Sequence, residues 1–418
     1  MSPSHEINHH FTGLRYGAKQ ASIKIKASIR FTTIRSLRIK IRNLRAIAAI
    51  YKFCQGIKEW KRSNKSYQSN CADMINMTLH DLYVQDFVID SCVLMFARYF
   101  IAMTVIDHIN QGKDTLISFE ILPPLKGKGI SAIYDHLDPL MEFKPSFINV
   151  TYHRSETMFK KKTDGRFEKI DVRKRPGTVA ICAAIMNHYK VDTVPHIICG
   201  GFSKNETEDA LIDLNFLGVD NVLVLRGDAP RNETFFEPEP DGHRYAIELM
   251  RQVANMNNGI YLEEDLKGAL KTKFCMGVAG YPEKHFEAPN MDTDLGYLKA
   301  KVEAGAEYII TQMFFDNQKY FDFVKRCRDL GITVPIIPGL KPITSKKQLT
   351  VIPRTFYVDI PSELANEIMN CKTDEEVTQV GTEWLIQQSK ELKKFGVSVL
   401  HYYTLGKASV IANVVKAI

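Results

Sequence analysis

With 418 residues, of which 45% are hydrophobic and 10% aromatic, the chain can bury a large core in one big domain or two ordinary ones. The net charge of +7 divides unevenly, because residues 1–65 carry 15 Lys and Arg against two acids and leave −6 for the other 353 residues; this mildly acidic body argues against a nucleic-acid partner. The eight cysteines are scattered, with no CxxC pair and no Cys/His cluster at zinc spacing, which predicts reduced thiols, no metal site and a cytoplasmic location.

Residues 1–102 predict a basic, poorly ordered N-terminal extension. The segment 21–45 alternates Lys and Arg with Ile, Leu and Ser and lacks the periodicity of a packed element. Three interpretations stay open: a mitochondrial-type targeting segment, an arm that binds RNA or a membrane surface, and a translated leader upstream of the true start. The apolar stretch 88–105 contains Asp90 and Arg98, each of which costs about 2.5–3.5 kcal/mol at a bilayer centre, so we predict no membrane span.

Met103 opens the predicted folded domain, residues 103–418, and the first strand follows about a dozen residues later. This strand, 116–120, is rich in bulky residues and ends on Glu120. Pro123 and Pro124 cannot donate ladder hydrogen bonds, so the sheet must release the chain there. The pattern predicts a buried strand that carries a carboxylate to its downstream end.

Short apolar runs then alternate with longer segments of helical periodicity, which is typical of βα units around a parallel sheet. Eight strands are predicted, at 116–120, 147–151, 194–198, 221–225, 274–278, 308–312, 334–337 and 397–402. Helices are predicted at 130–142, 178–189, 204–217, 245–255, 292–304, 319–330, 345–351 with 362–369, 375–395 and 408–415, with Thr293 as one N-cap and Gly218 and Gly331 just past two helix ends. This count favours a (β/α)8 TIM barrel over an open doubly wound sheet.

In such a barrel the downstream strand ends form the functional rim. The residues predicted there are Glu120, Thr151, Tyr152, His196, Arg226, Gly227, Asp228, Tyr281, Gln312, Lys341 and Tyr403. For each residue taken singly, a structural role in closing the loops is the alternative.

Several segments in this order are similar to the methylenetetrahydrofolate reductase family, in its bacterial-type catalytic barrel. They are SFEILPP at 118–124, VTY at 150–152, PHIIC at 195–199, LRGDAP at 225–230, GYPEKH at 280–285, TQMFFD at 311–316, IIPG at 336–339 and HYYTL at 401–405. The resemblance runs from Met103 to the C-terminus. After Tyr403 only one helix is expected, so we predict that the adenosylmethionine-binding extension of some relatives is absent.

The resemblance implies a non-covalent FAD at the barrel mouth, NADH or NADPH as electron donor, and reduction of methylenetetrahydrofolate to methyltetrahydrofolate for methionine synthesis. It implies that Glu120 is the general acid that protonates a folate nitrogen, and that Asp228 is a carboxylate beside the flavin and the pterin. Gln312 would contact both folate and nicotinamide. One acid protonated and one ionised is a common division of labour between paired carboxylates.

The resemblance also implies cofactor and substrate contacts. The expected flavin-binding residues are Thr151, His196, Leu225, Arg226, Gly227, Asp228, Tyr245, Ala246, Tyr281, His285, Ala288, Asp294 and Lys301. The expected substrate-binding residues are Gln312, Gln348 and Lys407. A homo-oligomer is also expected.

The chain departs from the family pattern at several positions. Tyr297 and Ala300 stand where many bacterial members place a polar and an arginine contact to the cofactor, and Lys407 replaces a usual arginine. The segment 153–175 is unusually long and basic. It is interpreted as a solvated surface loop or, alternatively, as a clamp for the glutamate tail of folate.

Two alternative functions stay open. One is a flavin-binding subunit of the same fold that takes electrons from a partner protein. The other is an unrelated barrel of the proline-oxidising flavin type.

Overall fold

A computed structural model of the chain describes residues 102–152, 154–229 and 235–418. The predicted basic extension, and with it nearly all of the apolar stretch before Val105, lies outside these residues. Within the described part, no helix is long and apolar enough to cross a membrane.

Parallel strands form a closed ring. Two short strands, β9 (Ile336–Ile337) and β10 (Gly339–Leu340), are separated only by Pro338. Strand β9 pairs with β8 (Tyr308–Thr311) on one side and β10 pairs with β11 (Val399–Tyr403) on the other, so β9 and β10 together act as one barrel strand. The ring of eight is therefore complete, and the predicted (β/α)8 barrel is confirmed. Its strands are β1 Leu116–Ile121, β2 Phe147–Val150, β5 Asp192–Ile198, β6 Asn221–Leu225, β7 Cys275–Gly280, β8 Tyr308–Thr311, β9 Ile336–Ile337, β10 Gly339–Leu340 and β11 Val399–Tyr403.

The helices follow the predicted order, except that the first one, α1 (Val105–Gln111), was not predicted. They are α1 Val105–Gln111, α2 Ser131–Met141, α3 Thr178–Tyr189, α4 Lys204–Phe216, α5 Ala246–Asn257, α6 Met291–Glu303, α7 Asn317–Asp329, α8 Gln348–Phe356, α9 Ser362–Asn370, α10 Asp374–Phe395 and α11 Ala408–Lys416. The prediction that Thr293 caps α6 is wrong, because Asn290 caps it and accepts the Thr293 N–H at 2.9 Å. Gly218 and Gly331 have φ of 73° and 79°, as predicted for helix ends.

The segment 153–175 was expected to be a loop, and this expectation is wrong. It contains an antiparallel hairpin of β3 Glu156–Lys161 and β4 Phe167–Val172. An Asp-Gly turn between two strand-length segments was the available signal, and Gly165 there has φ of 86°. The hairpin stays solvent-exposed, with Phe159 and Phe167 largely uncovered.

The barrel interior has an apolar lower layer and a polar upper layer. Successive strand residues face opposite sides, so Phe119 and Ile121 pack outward against helices while Ser118 and Glu120 face inward. The lower interior is filled by one buried cluster of Phe147, Val194, Leu223, Cys275, Tyr308, Ile310, Ile337 and Val399, with Val105 of α1 packed beneath it. The apolar layer supports the mouth from below.

The start of the described chain is tied to the barrel floor. Asn221 accepts the Val105 N–H at 2.8 Å and donates to the Met103 carbonyl at 2.9 Å. The Met103 N–H also donates to Asp192 at 3.2 Å. Helix α1 therefore closes the upstream end of the barrel; the domain boundary at residue 103 remains a prediction.

We predict opposite stability effects from two Gly→Ala substitutions. A Cβ on Gly277 would lie 2.2 Å from ring carbons of Tyr308, whose hydroxyl donates to the Val222 carbonyl at 3.2 Å and holds the ring in place. Gly277→Ala should therefore lower the free energy of unfolding by about 1–3 kcal/mol. The matched control is Gly296→Ala on the exposed side of α6, where the new Cβ would meet nothing within 4 Å. This substitution should raise the free energy of unfolding by up to about 1 kcal/mol. Urea denaturation followed by circular dichroism gives both values; an unchanged Gly277→Ala midpoint would contradict the packing described.

Candidate active site

The carboxylate of Glu120 lies in the barrel mouth between two imidazoles. Its side chain is 10% exposed, and Oε2 is 3.4 Å from His196 Nε2 and 3.6 Å from His401 Nε2. The Glu120 carbonyl accepts the Thr404 N–H at 3.0 Å and the Thr404 hydroxyl at 2.8 Å. Backbone hydrogen bonds therefore fix the strand end that positions this acid.

A buried polar layer lies beneath Glu120. Ser118 Oγ is 2.8 Å from His401 Nδ1, and Asn149 Nδ2 is 3.3 Å from His196 Nε2. Asn149 Oδ1 and His401 Nε2 are buried and have no hydrogen-bond partner among the described residues. These polar atoms can accept or donate to a bound molecule or to water.

No role was predicted from the sequence for Ser118, Asn149 or His401. Each lies two residues before a predicted rim position, Glu120, Thr151 or Tyr403, so strand alternation places it on the same inner side. Counting two residues back along each strand from a predicted rim residue would have identified this layer.

Two tyrosines line the mouth. Tyr403 lies beside Glu120 in the β1–β11 register and donates its hydroxyl hydrogen to the Thr311 carbonyl at 2.7 Å. Burial raises the pKa of Tyr403, and the neighbouring Glu120 and Tyr281 raise it further. Burial likewise raises the pKa of Tyr281, with Asp294 and then Asp228 adding to the effect. Both phenols therefore stay protonated. Tyr281 also lies close enough to Asp294 and Asp228 for their charges to raise its pKa.

An ion pair joins the ends of β6 and β7. Arg226 Nη1 and Nη2 are 2.5 and 3.0 Å from the two carboxylate oxygens of Glu287, and the guanidinium lies 5.2 Å from the centre of the Phe236 ring. The Arg226 hydrogen bond lowers the pKa of Glu287. The charge of Arg226 is thus already balanced within the protein. Glu287 was not predicted from the sequence to be the partner of Arg226.

His285 and Asp294 form the next part of the rim. The backbone N–H of His285 donates to Asp294 Oδ2 at 3.0 Å. The imidazole of His285 lies edge-on to the ring of Tyr281, with ring centres 4.8 Å apart. Burial lowers the pKa of His285, and the charge of Arg226 lowers it further. The imidazole is therefore neutral at pH 7.

Lys301 projects from α6 toward the end of β7. Its ammonium donates to the Ala279 carbonyl at 2.9 Å. Burial lowers the pKa of Lys301 to about 8, while Asp294 acts in the opposite direction. Lys301 is therefore a desolvated cation that is still mostly charged at neutral pH.

Gly227, Asp228 and Gln312 complete the group that the structure brings to the mouth. Gly227 has φ of 83°, and a Cβ there would lie 3.3 Å from Ile198, so the position favours glycine. Asp228 is exposed to solvent. Gln312 Oε1 accepts the Met313 N–H at 2.9 Å, which leaves its NH2 group as the polar group for a ligand. Leu225, at the end of β6, packs against the lower apolar cluster.

Other predicted site residues make contacts with local backbone instead. Thr151 donates its hydroxyl hydrogen to the Ile121 carbonyl at 3.2 Å, and Gln348 Oε1 accepts the Thr344 N–H at 2.6 Å. Ala288 accepts Lys284 Nζ at 2.7 Å. The remaining three lie at helix starts: Tyr245 is the exposed N-cap of α5, Ala246 is its first residue, and Lys407 is exposed at the N-cap of α11.

Within the described ranges, no group of three or more His, Cys, Asp and Glu side chains could hold a metal ion. What the mouth offers instead is one buried acid beside two imidazoles, a second acid in solvent, two half-buried phenols and a partly desolvated cation. Such a set can move a proton and hold an anionic ligand.

Comparisons with known proteins agree with this arrangement. A family model described as methylenetetrahydrofolate reductase matches residues 105–418. A Caenorhabditis elegans protein named probable methylenetetrahydrofolate reductase (NADPH) is 29% identical over 316 residues, which is 75% of this chain and 43% of the relative. Methylenetetrahydrofolate reductase 2 of Saccharomyces cerevisiae is 32% identical over 299 residues, 70% of this chain and 45% of the relative.

A bacterial relative is covered more fully. The 5,10-methylenetetrahydrofolate reductase of Pectobacterium carotovorum is 29% identical over 293 residues, 70% of this chain and 86% of the relative. The chain thus spans less than half the length of the worm and yeast relatives and most of the bacterial one. Because the family model covers the whole barrel, the chain belongs to the methylenetetrahydrofolate reductase family.

Proposed function

We propose that this chain is a methylenetetrahydrofolate reductase that binds FAD at the barrel mouth, takes a hydride from NADH or NADPH, and converts 5,10-methylenetetrahydrofolate to 5-methyltetrahydrofolate. The observation that carries the proposal is the buried Glu120 carboxylate, 3.4 Å from His196 and 3.6 Å from His401, in a barrel of this family. The product would supply methyl groups for methionine synthesis.

The residues at the mouth fit a flavin dinucleotide. Lys301 offers a cation for a phosphate group, and Gly227 lets a planar ring or a phosphate approach the backbone where a Cβ would crowd Ile198. The orphaned polar atoms of Asn149 and His401 face the same chamber and fit a ligand rich in hydrogen-bonding groups. The bound flavin would supply the hydride transfer, which amino-acid side chains cannot perform.

Arg226 needs a separate account because Glu287 already neutralises it. In our proposal the pair acts as a unit that shapes the rim between β6 and β7, and Lys301 with His285 carries the phosphate contact. This division also offsets the missing arginine at Ala300, since a cation on the same helix lies one residue away.

Glu120 would act on the folate. Opening the five-membered ring of methylenetetrahydrofolate requires a proton on the departing nitrogen, and a positioned carboxylic acid lowers that barrier. The imidazoles of His196 and His401, 3.4 and 3.6 Å from the carboxylate, would form its polar surroundings.

Asp228 would act as the ionised partner. Its side chain is exposed at the mouth, and a negative charge near the ring would stabilise the positive charge that develops on folate when the ring opens. The NH2 group of Gln312 would donate to the pterin edge. Gln348 and Lys407 remain predicted substrate contacts, and the homo-oligomer and the cytoplasmic location remain predictions.

The proposed reaction is tested by an absorbance spectrum of the purified protein. The protein should be yellow, anaerobic NADH or NADPH should bleach it, and methylenetetrahydrofolate should restore the colour. A colour that persists until an iron–sulfur protein is added would support the partner-protein alternative. Bleaching by proline without any response to folate would support the third hypothesis and contradict ours.

Flavin affinity should depend on pH through Lys301. The pKa of Lys301 is lowered to about 8. The side chain is therefore charged below pH 8 and loses its positive charge as the pH rises above 8. We expect the FAD dissociation constant to increase about tenfold between pH 7 and pH 9, which corresponds to ~1.4 kcal/mol. The increase in fluorescence when FAD is released from the protein measures this dissociation constant.

Two variants make this test specific. Lys301→Met should bind FAD weakly at both pH values and show little change between them. Lys299→Met removes an exposed lysine of the same helix, which pairs with Glu303 at 4.0 Å, and should behave as the unmodified protein does. An equal pH response in Lys301→Met would show that another group is responsible.

A further inference from the structure

Lys341 is a buried lysine that the proposed chemistry does not use. It follows β10 directly and is 8% exposed. Among the residues that the structure describes, its Nζ has neither a hydrogen bond nor an ion pair. Burial lowers its pKa, and no neighbouring charge adds to this effect.

The pairing of β10 with β11 shows which way Lys341 faces. Leu340 pairs with Tyr402, and both pack in the outer core against the helices. Gly339 pairs with the inward-facing His401. Because Lys341 precedes Pro342, its backbone is held in an extended conformation, and strand alternation then directs its side chain inward.

The same register gives the level of Lys341 in the mouth. Continuing the pairing by one position places it beside Tyr403, which pairs with Glu120 on the other side. Lys341 therefore lies in the row of the proposed acid, on the seventh barrel strand, between the strands that end in Gln312 and in Tyr403. A ligand group at this level belongs to the reacting ring and not to a flexible tail.

A largely buried lysine whose ammonium has no acceptor among the described residues is unfavourable. An oxygen atom of a ligand would offset that cost. The donors on this side of the mouth are the Lys341 ammonium and the Gln312 NH2 group, whereas the acceptors are the carboxylates of Glu120 and Asp228. A planar ring that carries a carbonyl oxygen beside N–H groups matches this division.

We propose that Lys341 is a specificity-determining residue that donates a hydrogen bond to the carbonyl oxygen of the pterin ring of folate. The inference rests on the proposed function, because it assigns the ring that Glu120 protonates. The nicotinamide carboxamide also has a carbonyl oxygen, and the experiment separates the two sources.

The test compares the purified, FAD-loaded protein with Lys341→Met and Lys341→Arg. Anaerobic calorimetric titration of the flavin-reduced protein with 5-methyltetrahydrofolate measures folate binding without reaction, because the reduced flavin cannot accept a hydride from this ligand. Anaerobic stopped-flow absorbance measures the nicotinamide dissociation constant and reduction rate. Losing a hydrogen bond from a charged donor costs about 1.5–3 kcal/mol, so Lys341→Met should weaken folate binding about 10- to 150-fold. Lys341→Arg should recover most of the affinity, and nicotinamide binding and reduction should stay within about twofold.

A matched control is Lys346→Met. This lysine is exposed, lies five residues further along the chain and donates to the Met369 carbonyl at 2.8 Å, so its loss should leave both titrations unchanged. If Lys341→Met does not fold, Lys341→Leu, which also lacks a hydrogen-bond donor, carries the same comparison.

The outcomes separate the inference from the function beneath it. Unmodified protein that binds folate no more tightly than Lys341→Met overturns the inference alone. A loss confined to nicotinamide binding overturns it as well, because the carbonyl would then belong to the nicotinamide. Unmodified protein that binds no folate at all overturns the proposed function and, with it, the inference.

Discussion

The mouth of this barrel depends on the alternation of side chains along its parallel strands. On β1, Phe119 and Ile121 anchor the strand in the outer core, and this fixes Ser118 and Glu120 on the inside. Beneath them a buried apolar cluster fills the lower barrel. This cluster supports the polar layer from below. The carboxyl group of Glu120 therefore lies next to two imidazoles and the space for a ligand and has little contact with bulk solvent. The proposed proton transfer needs this arrangement.

Charge at the mouth is distributed by burial and pairing. Glu287 takes up the charge of Arg226, Asp294 lies beside Lys301, and Asp228 remains in solvent. Lys341 has no such partner among the described residues. Cations are therefore present at two levels, one near the end of β7 that suits a phosphate group and one in the row of Glu120 that suits a ring carbonyl. This separation is what a site for both a dinucleotide and a planar substrate requires.

The sequence predicted the barrel because strand and helix periodicities alternate clearly and the strand ends carry polar residues. It located Glu120 by the prolines that follow it. It did not reveal the partners of those residues: Glu287 and His401 come from distant segments, and only the fold brings them to Arg226 and Glu120. The cap of α6 was misplaced because Asn290 and Thr293 both suit an N-cap, and spacing alone does not choose between them. The hairpin at 156–172 was missed because its exposed strands lack an apolar face.

The central claim, that Glu120 supplies the proton for folate ring opening, is tested most directly by measuring the two half-reactions of Glu120→Gln in anaerobic stopped-flow experiments. The amide keeps the size of the side chain and leaves the backbone bonds from Thr404 in place. We predict that nicotinamide-driven flavin reduction stays nearly intact while reoxidation by methylenetetrahydrofolate slows by about 10²- to 10⁴-fold. Equal slowing of both half-reactions would contradict the claim and would show that Glu120 is structural.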